Sequence, residues 1–188
     1  MPVQIGANVH SFSNPMGLLS DCHRRIEMFL GSLEAVAKKV DQPLNEETAR
    51  GLTAALRYFR EAAPKHTADE EESLFPRLRE IHNSGVQAAL VHLEALEKDH
   101  RWATAVHAEV ERLGQQYLST ARLSLDEVDK FRAAISQLTS MYREHIRLED
   151  SVIFPAADRA LSQTDRASIA REMADRRNAG LAAGLSRS

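Results

Sequence analysis

The sequence predicts an all-α fold, an up-and-down antiparallel four-helix bundle with an additional short C-terminal helix. Apolar residues recur at helical spacing over four long stretches, and no stretch alternates with the period of a half-buried strand. Helix-start signals precede these stretches, and short polar connections separate them, as antiparallel neighbours require. At 188 residues the chain is long enough for one domain with a sizeable core and too short for two comfortable ones. We therefore expect a single domain over residues 1–188, with the bundle core at about 14–160 and a C-terminal helix and tail over 162–188.

The first helix begins at Asn14, a plausible cap, with Pro15 at the first helical position. Its apolar seam runs Leu19, His23, Ile26, Leu30, Leu33, Ala37 and Val40, so one histidine sits among aliphatic side chains. The second helical region starts near Asn45 and presents Leu52, Leu56, Phe59, His66, Glu70 and Leu74, with Pro64 expected to kink or break it just ahead of His66. An Asn83-Ser84-Gly85 turn follows. The third helix, about 86–117, aligns Leu93, Leu96, His100, Ala103, His107, Val110, Gly114 and Tyr117. Ser124-Leu125-Asp126-Glu127 reads as a capping box that opens the fourth helix, whose seam holds Phe131, Ile135, Leu138, Tyr142, His145, Glu149 and Val152. Ser162-Gln163-Thr164 introduces a shorter helix expected to reach Met173, after which the last ten or so residues should fray, with Arg176 and Arg177 as a solvated helix end.

Composition narrows the function. A net charge of −3 offers no general basic surface, so nucleic acid is not an expected partner. The start of the chain lacks the basic and apolar regions of a secretory signal, and no stretch approaches the roughly 18 apolar residues of a membrane span. The single cysteine, Cys22, cannot form an internal disulfide and reads as a small core residue. The expectation is a soluble, cytoplasmic protein with eight histidines to explain.

The segments HTADEEESLFP (66–76) and HIRLEDSVIFP (145–155) share His, Glu four positions on, an acid at five, an aliphatic at eight, Phe at nine and Pro at ten. The duplication extends upstream, since His23 lies 43 residues before His66 and His100 lies 45 before His145. In a helix, residues four apart project from one face about 6 Å apart along the axis. His66 with Glu70, and His145 with Glu149, should thus each form an inward fork facing His23 and His100. Buried unpaired, these groups would cost several kcal/mol each, and a carboxylate far more. Two divalent cations would compensate all six, each taking two imidazoles and sharing the carboxylates, with positions left open for a small ligand.

At these residues the chain resembles the hemerythrin-like family of HHE cation-binding bundles, over roughly 14–160. The resemblance implies two non-haem iron ions with a bridging oxo or hydroxo group, ligated by His23, His66, Glu70, His100, His145 and Glu149, with both glutamates bridging. Oxygen-carrying hemerythrins place two histidines one turn apart on the third helix, where this chain has Leu96 and Thr104 four residues from His100. They also favour a carboxylate five residues after the last histidine, where Asp150 stands beside Glu149. The set is closest to bacterial four-His, two-Glu di-iron members. It implies a protein that binds, senses or reacts with O2, peroxide or NO, the alternatives being iron handling, iron–sulfur cluster repair, or a structural metal-binding interaction module. Among remaining groups, His107 reads as a core or supporting histidine, and His10, His82 and His92 as solvated or capping residues. Glu71 and Glu72 read as solvated groups, Glu27 as a partner of Arg24 or a supporting contact near His23, Glu97 as a carboxylate that orients the His100 imidazole, and Tyr142 as a buried tyrosine paired elsewhere, with reach of the site as the alternative.

Overall fold

A computed structural model describes the backbone of residues 10–82 and 84–185, and the side chains of 10–82 and 84–178. Among the described residues the chain is helical, without strands: α1 (Pro15–Lys39), α2 (Glu46–Glu61), α3 (Ala63–Ala68), a π-helical turn π1 (Asp69–Leu74), α4 (Phe75–Arg79), α5 (Ser84–Thr120), α6 (Leu125–Leu148), a second π turn π2 (Glu149–Ile153), α7 (Phe154–Ala160) and α8 (Gln163–Leu185). No described helix is long and apolar enough to cross a membrane.

The predicted starts hold for a local reason: each places an acceptor over the exposed amides of the first turn. Asn14 Oδ1 accepts from Gly17 N–H at 3.0 Å, and Asn45 Oδ1 accepts from Thr48 N–H at 2.9 Å. In the capping box, Glu127 Oε2 accepts from Ser124 N–H at 2.9 Å while Ser124 Oγ accepts from Glu127 N–H at 3.4 Å. Ser162 and Asp165 make the same exchange ahead of α8. The break before His66 falls at Ala62, between α2 and α3, where Pro64 is accommodated in the first turn of the new helix.

Three local expectations change. Ser84 and Gly85 already belong to α5, while Asn83 lies outside the described residues. α8 continues past Met173 to Leu185, because Ala, Arg and Leu dominate the segment and favour the helix. Two π turns interrupt helices that the periodicity predicts as regular. Each lies just before a Phe-Pro pair, and the amides of Phe75 and Phe154 donate to the carbonyls of Glu70 and Glu149, five residues back. Proline lacks an amide and its ring collides with the carbonyl four residues earlier, so a wider turn lets the chain continue helically through Pro76 and Pro155.

The chain divides into two compact units. The first comprises Met1–Arg24, Pro64–Ala95 and Leu148–Ser188; the second comprises Arg25–Ala63 and Leu96–Arg147. The second holds one apolar cluster in which Ile26, Leu30 and Leu33 of α1, Leu52, Leu56 and Phe59 of α2, Val110 and Leu113 of α5, and Phe131, Ile135 and Leu138 of α6 are buried. Gly114 is required there by close approach, since a β-carbon on it would meet Leu56 Cδ1 at 2.8 Å. Tyr117 closes the cluster, its hydroxyl donating to the Gln42 carbonyl at 2.9 Å.

In the first unit Met16, Leu19, Leu74, Phe75, Leu78, Leu93, Ile153, Phe154, Ile169 and Met173 are buried. Here Arg176 and Arg177 are corrected from solvated residues to structural ones. Arg176 Nη1 donates to Asp69 Oδ1 at 2.9 Å and Arg177 Nη2 to Asp69 Oδ2 at 2.7 Å. Arg176 also reaches Ser73 Oγ at 2.9 Å and the exposed Glu72 at 3.1 Å, and Arg77 pairs with Glu172 at 2.7 Å. Asp69 is 0% exposed, so this two-arginine clamp compensates a carboxylate that would otherwise be strongly unfavourable where it sits.

Candidate metal centre

In the first unit, α1 supplies His23, α3 supplies His66, and the two π turns supply Glu70 and Glu149. One ligand atom from each lies within 4.8 Å of all the others, and all four residues are buried. His23 Nε2 is 3.1 Å from Glu149 Oε2 and 3.8 Å from Glu70 Oε1, while His66 Nε2 is 3.2 Å from Glu70 Oε1. The His23 and His66 rings meet edge to face at 4.9 Å, and Phe154 stacks on His23 at 5.2 Å. Both glutamates are 0% exposed.

The far side of the His23 ring is also engaged. Its Nδ1 lies 3.0 Å from Asp150 Oδ1, which accepts a further hydrogen bond from Ser20 Oγ at 2.8 Å. Burial by itself would lower the His23 pKa, but the carboxylates of Asp150, Glu149 and Glu70 outweigh it and hold the imidazole well above its ordinary value. For Asp150, burial would raise the pKa, and the hydrogen bond from His23 outweighs it and keeps the carboxyl below the usual range. Without metal, a proton on His23 therefore offsets part of the buried negative charge. A cation entering this set must displace that proton, so its uptake weakens in acid.

In the second unit, α5 and α6 bring His100 and His145 together, both buried, with their Nε2 atoms 3.0 Å apart. Two imidazole nitrogens aimed at one point are the start of a metal site or a shared proton. Asp99 Oδ2 lies 3.3 Å from His145 Nδ1. The carboxylate beside His100 in sequence thus faces the other imidazole.

His107 stays apart from these donors. Its Nε2 is 3.0 Å from the Tyr142 hydroxyl, its ring stacks on Phe59 at 4.4 Å, and burial pushes its pKa down to about 4. The Tyr142 ring centre is 6.3 Å from that of His145. Glu27 is exposed, as its place off the α1 seam implied, and Cys22 is buried. His10 is partly exposed, and its backbone amide donates to Asp21 Oδ2 at 2.8 Å.

The depressed His107 value has a measurable consequence. Between its unfolded pKa of 6.5 and about 4 the unfolded chain binds a proton there that the folded chain refuses, so stability falls as pH drops through that window. The full effect is about 3 kcal/mol. Urea unfolding of the wild type and His107→Leu at about pH 7 and about pH 4.5 should show the variant losing less stability on acidification. Equal losses would mean that His107 is not held neutral.

The donor set suits a cation of intermediate hardness, since it mixes imidazole nitrogen with carboxylate oxygen and contains no thiolate. Compensation of two fully buried carboxylates is the physical reason to expect one. A family model described as Hemerythrin HHE cation binding domain matches residues 14–157, about three quarters of the chain. An uncharacterized protein of Haemophilus influenzae is 24% identical over 168 residues, covering 89% of this chain and 92% of its own length. No solved structure matches. The matched span contains every donor described above, and the chain belongs to the hemerythrin HHE cation-binding domain family.

Proposed function

We propose that this chain is a cytoplasmic non-haem di-iron protein, a single domain built on an up-and-down four-helix bundle, that binds, senses or reacts with O2, peroxide or NO. The proposed ligands are His23, His66, Glu70, His100, His145 and Glu149, with Glu70 and Glu149 as the bridges. The observation that carries the reading is the buried quartet of His23, His66, Glu70 and Glu149 within 4.8 Å. Family membership supports a cation there, and the duplicated His-x3-Glu supports a pair.

Iron would supply a one-electron redox change and open positions for a small ligand. The remaining work belongs to the chain. Imidazoles fixed by helices set the geometry, and the carboxylates balance charge. Phe154 against the His23 ring, with buried Phe75 in the same unit, keeps water from the donors and so strengthens electrostatic interactions among them.

Metal analysis of protein purified without added metal, with absorption spectra before and after air exposure, tests the proposal. About two irons per chain and an air-dependent near-ultraviolet band are expected. One zinc and no colour would replace it with a structural metal site. Loosely held iron that passes to a damaged iron–sulfur cluster would favour iron handling. On the same assay His100→Ala should lose far more metal than His107→Ala, because His107 is spent on Tyr142 and Phe59. Equal losses would remove His100 from the proposed ligand set.

A further inference from the structure

We infer that Asp150, braced by Ser20, is the positioning residue that makes His23 a metal ligand, and that Asp99 does the same for His145. The inference rests on the proposed metal centre and adds residues outside its ligand set.

Glu149 and Asp150 are neighbours at the end of the second repeat, yet they serve opposite edges of one imidazole. Glu149 Oε2 lies 3.1 Å from His23 Nε2, inside the donor quartet, whereas Asp150 Oδ1 lies 3.0 Å from His23 Nδ1, behind it. A carboxylate oxygen can only accept, so the Nδ1 edge must donate and carries the ring proton. The neutral ring is thereby fixed as the Nδ1–H tautomer, with the Nε2 lone pair directed at the quartet. Ser20 Oγ, donating to the same Oδ1 at 2.8 Å, prevents the side chain, which is 40% exposed, from swinging to solvent.

The same arrangement recurs at a second imidazole. His145 turns Nε2 toward His100 at 3.0 Å and Nδ1 toward Asp99 Oδ2 at 3.3 Å. The longer contact makes Asp99 the weaker brace. A position that could have supplied a ligand five residues after His145 is used here to hold a ligand from another helix. Such a carboxylate raises the basicity of the coordinating nitrogen and removes the cost of orienting the ring.

The experiment loads the full chain with Fe2+ or Zn2+ in competition with a chelator, in wild type, Asp150→Ala, Asp150→Glu, Ser20→Ala and Asp99→Ala. Asp150→Ala should bind both ions roughly 10- to 100-fold more weakly. Ser20→Ala and Asp99→Ala should lose less, and Asp150→Glu should recover part of the loss. Histidine nitrogen-15 NMR of the Zn2+ form gives a readout that a merely structural residue would not move. A protected His23 Nδ1–H resonance is expected in the wild type and should vanish or exchange rapidly in Asp150→Ala. Wild-type affinity in both Asp150→Ala and Ser20→Ala, or an unchanged Nδ1–H resonance in Asp150→Ala, overturns the inference while leaving the metal centre intact. A wild-type chain that binds neither ion overturns the metal centre, and the positioning role with it.

Discussion

Glu149→Gln should give a chain that folds as well as the wild type without metal and yet fails to hold iron, its affinity reduced by at least about 100-fold, beyond the loss typical of a supporting residue. The substitution keeps the shape of the side chain and removes a charge that is 0% exposed. In the metal-free protein that charge is unfavourable, offset in part by the His23 imidazole 3.1 Å away. Thermal melts should therefore place metal-free Glu149→Gln level with, or above, metal-free wild type. Added Fe2+ should raise only the wild-type transition, by about 2.7 kcal/mol at one hundred times its dissociation constant.

The pH dependence of the metal-free protein supports the same test. Because the folded His23 pKa is raised, the stability it contributes is complete below the unfolded value of 6.5 and is lost as pH rises through the folded value, which lies well above. Removing Glu149, one of the groups that raise it, should flatten that loss. A metal-free Glu149→Gln chain markedly less stable than wild type would mean that Glu149 serves the fold and not a cation.

The second large effect is expected at the residue that precedes the proposed ligand Glu70. Asp69→Ala should destabilise the chain by about 3 kcal/mol, since it removes the buried carboxylate between the two guanidinium groups and leaves Arg176 to Ser73 and the exposed Glu72, and Arg177 to the Met173 carbonyl. Arg176 and Arg177 are partly buried, and both direct their shortest carboxylate contacts to Asp69. Arg177→Ala alone should cost less, because Arg176 would still compensate Asp69. In a double-mutant cycle the paired substitution should cost clearly less than the sum of its parts. Hydrogen exchange should show α8 opening in Asp69→Ala, with iron affinity falling as well, because Asp69 and the proposed ligand Glu70 share one π turn. Additive costs and an unperturbed α8 would reduce the clamp to a surface contact.

These two predictions differ in how much of them could be read from the chain. Glu149 was legible, since a carboxylate on the apolar seam four residues after a histidine, repeated in both halves, has few uses other than a cation. The arginine clamp was not. Arg176-Arg177 in a polar, alanine-rich tail has the composition of a solvated helix end, and nothing in its periodicity points to a partner 107 and 108 residues away. The π turns lie between these cases. Their signal, Phe-Pro after each fork, was in view as a repeat, but its geometric consequence depends on whether the helix stops at the proline or widens to pass it.

The order of residues along the chain is enough to specify the long helices, their caps, the seams that are buried, and the identity and spacing of the donor side chains. Each of these follows from short-range rules: a side-chain acceptor over the first amides, a period of 3.6, a turn of rise between residues four apart. How the acids divide their duties is settled by packing in three dimensions. Glu149 enters the quartet, Asp150 goes behind His23 from 127 residues away, Asp99 faces His145 instead of its neighbour His100, and Asp69 is given to α8. Spacing along a helix sets which face a carboxylate shares. Which imidazole or guanidinium meets that face is fixed by packing between segments distant in the chain, where desolvation makes one pairing far more favourable than the rest.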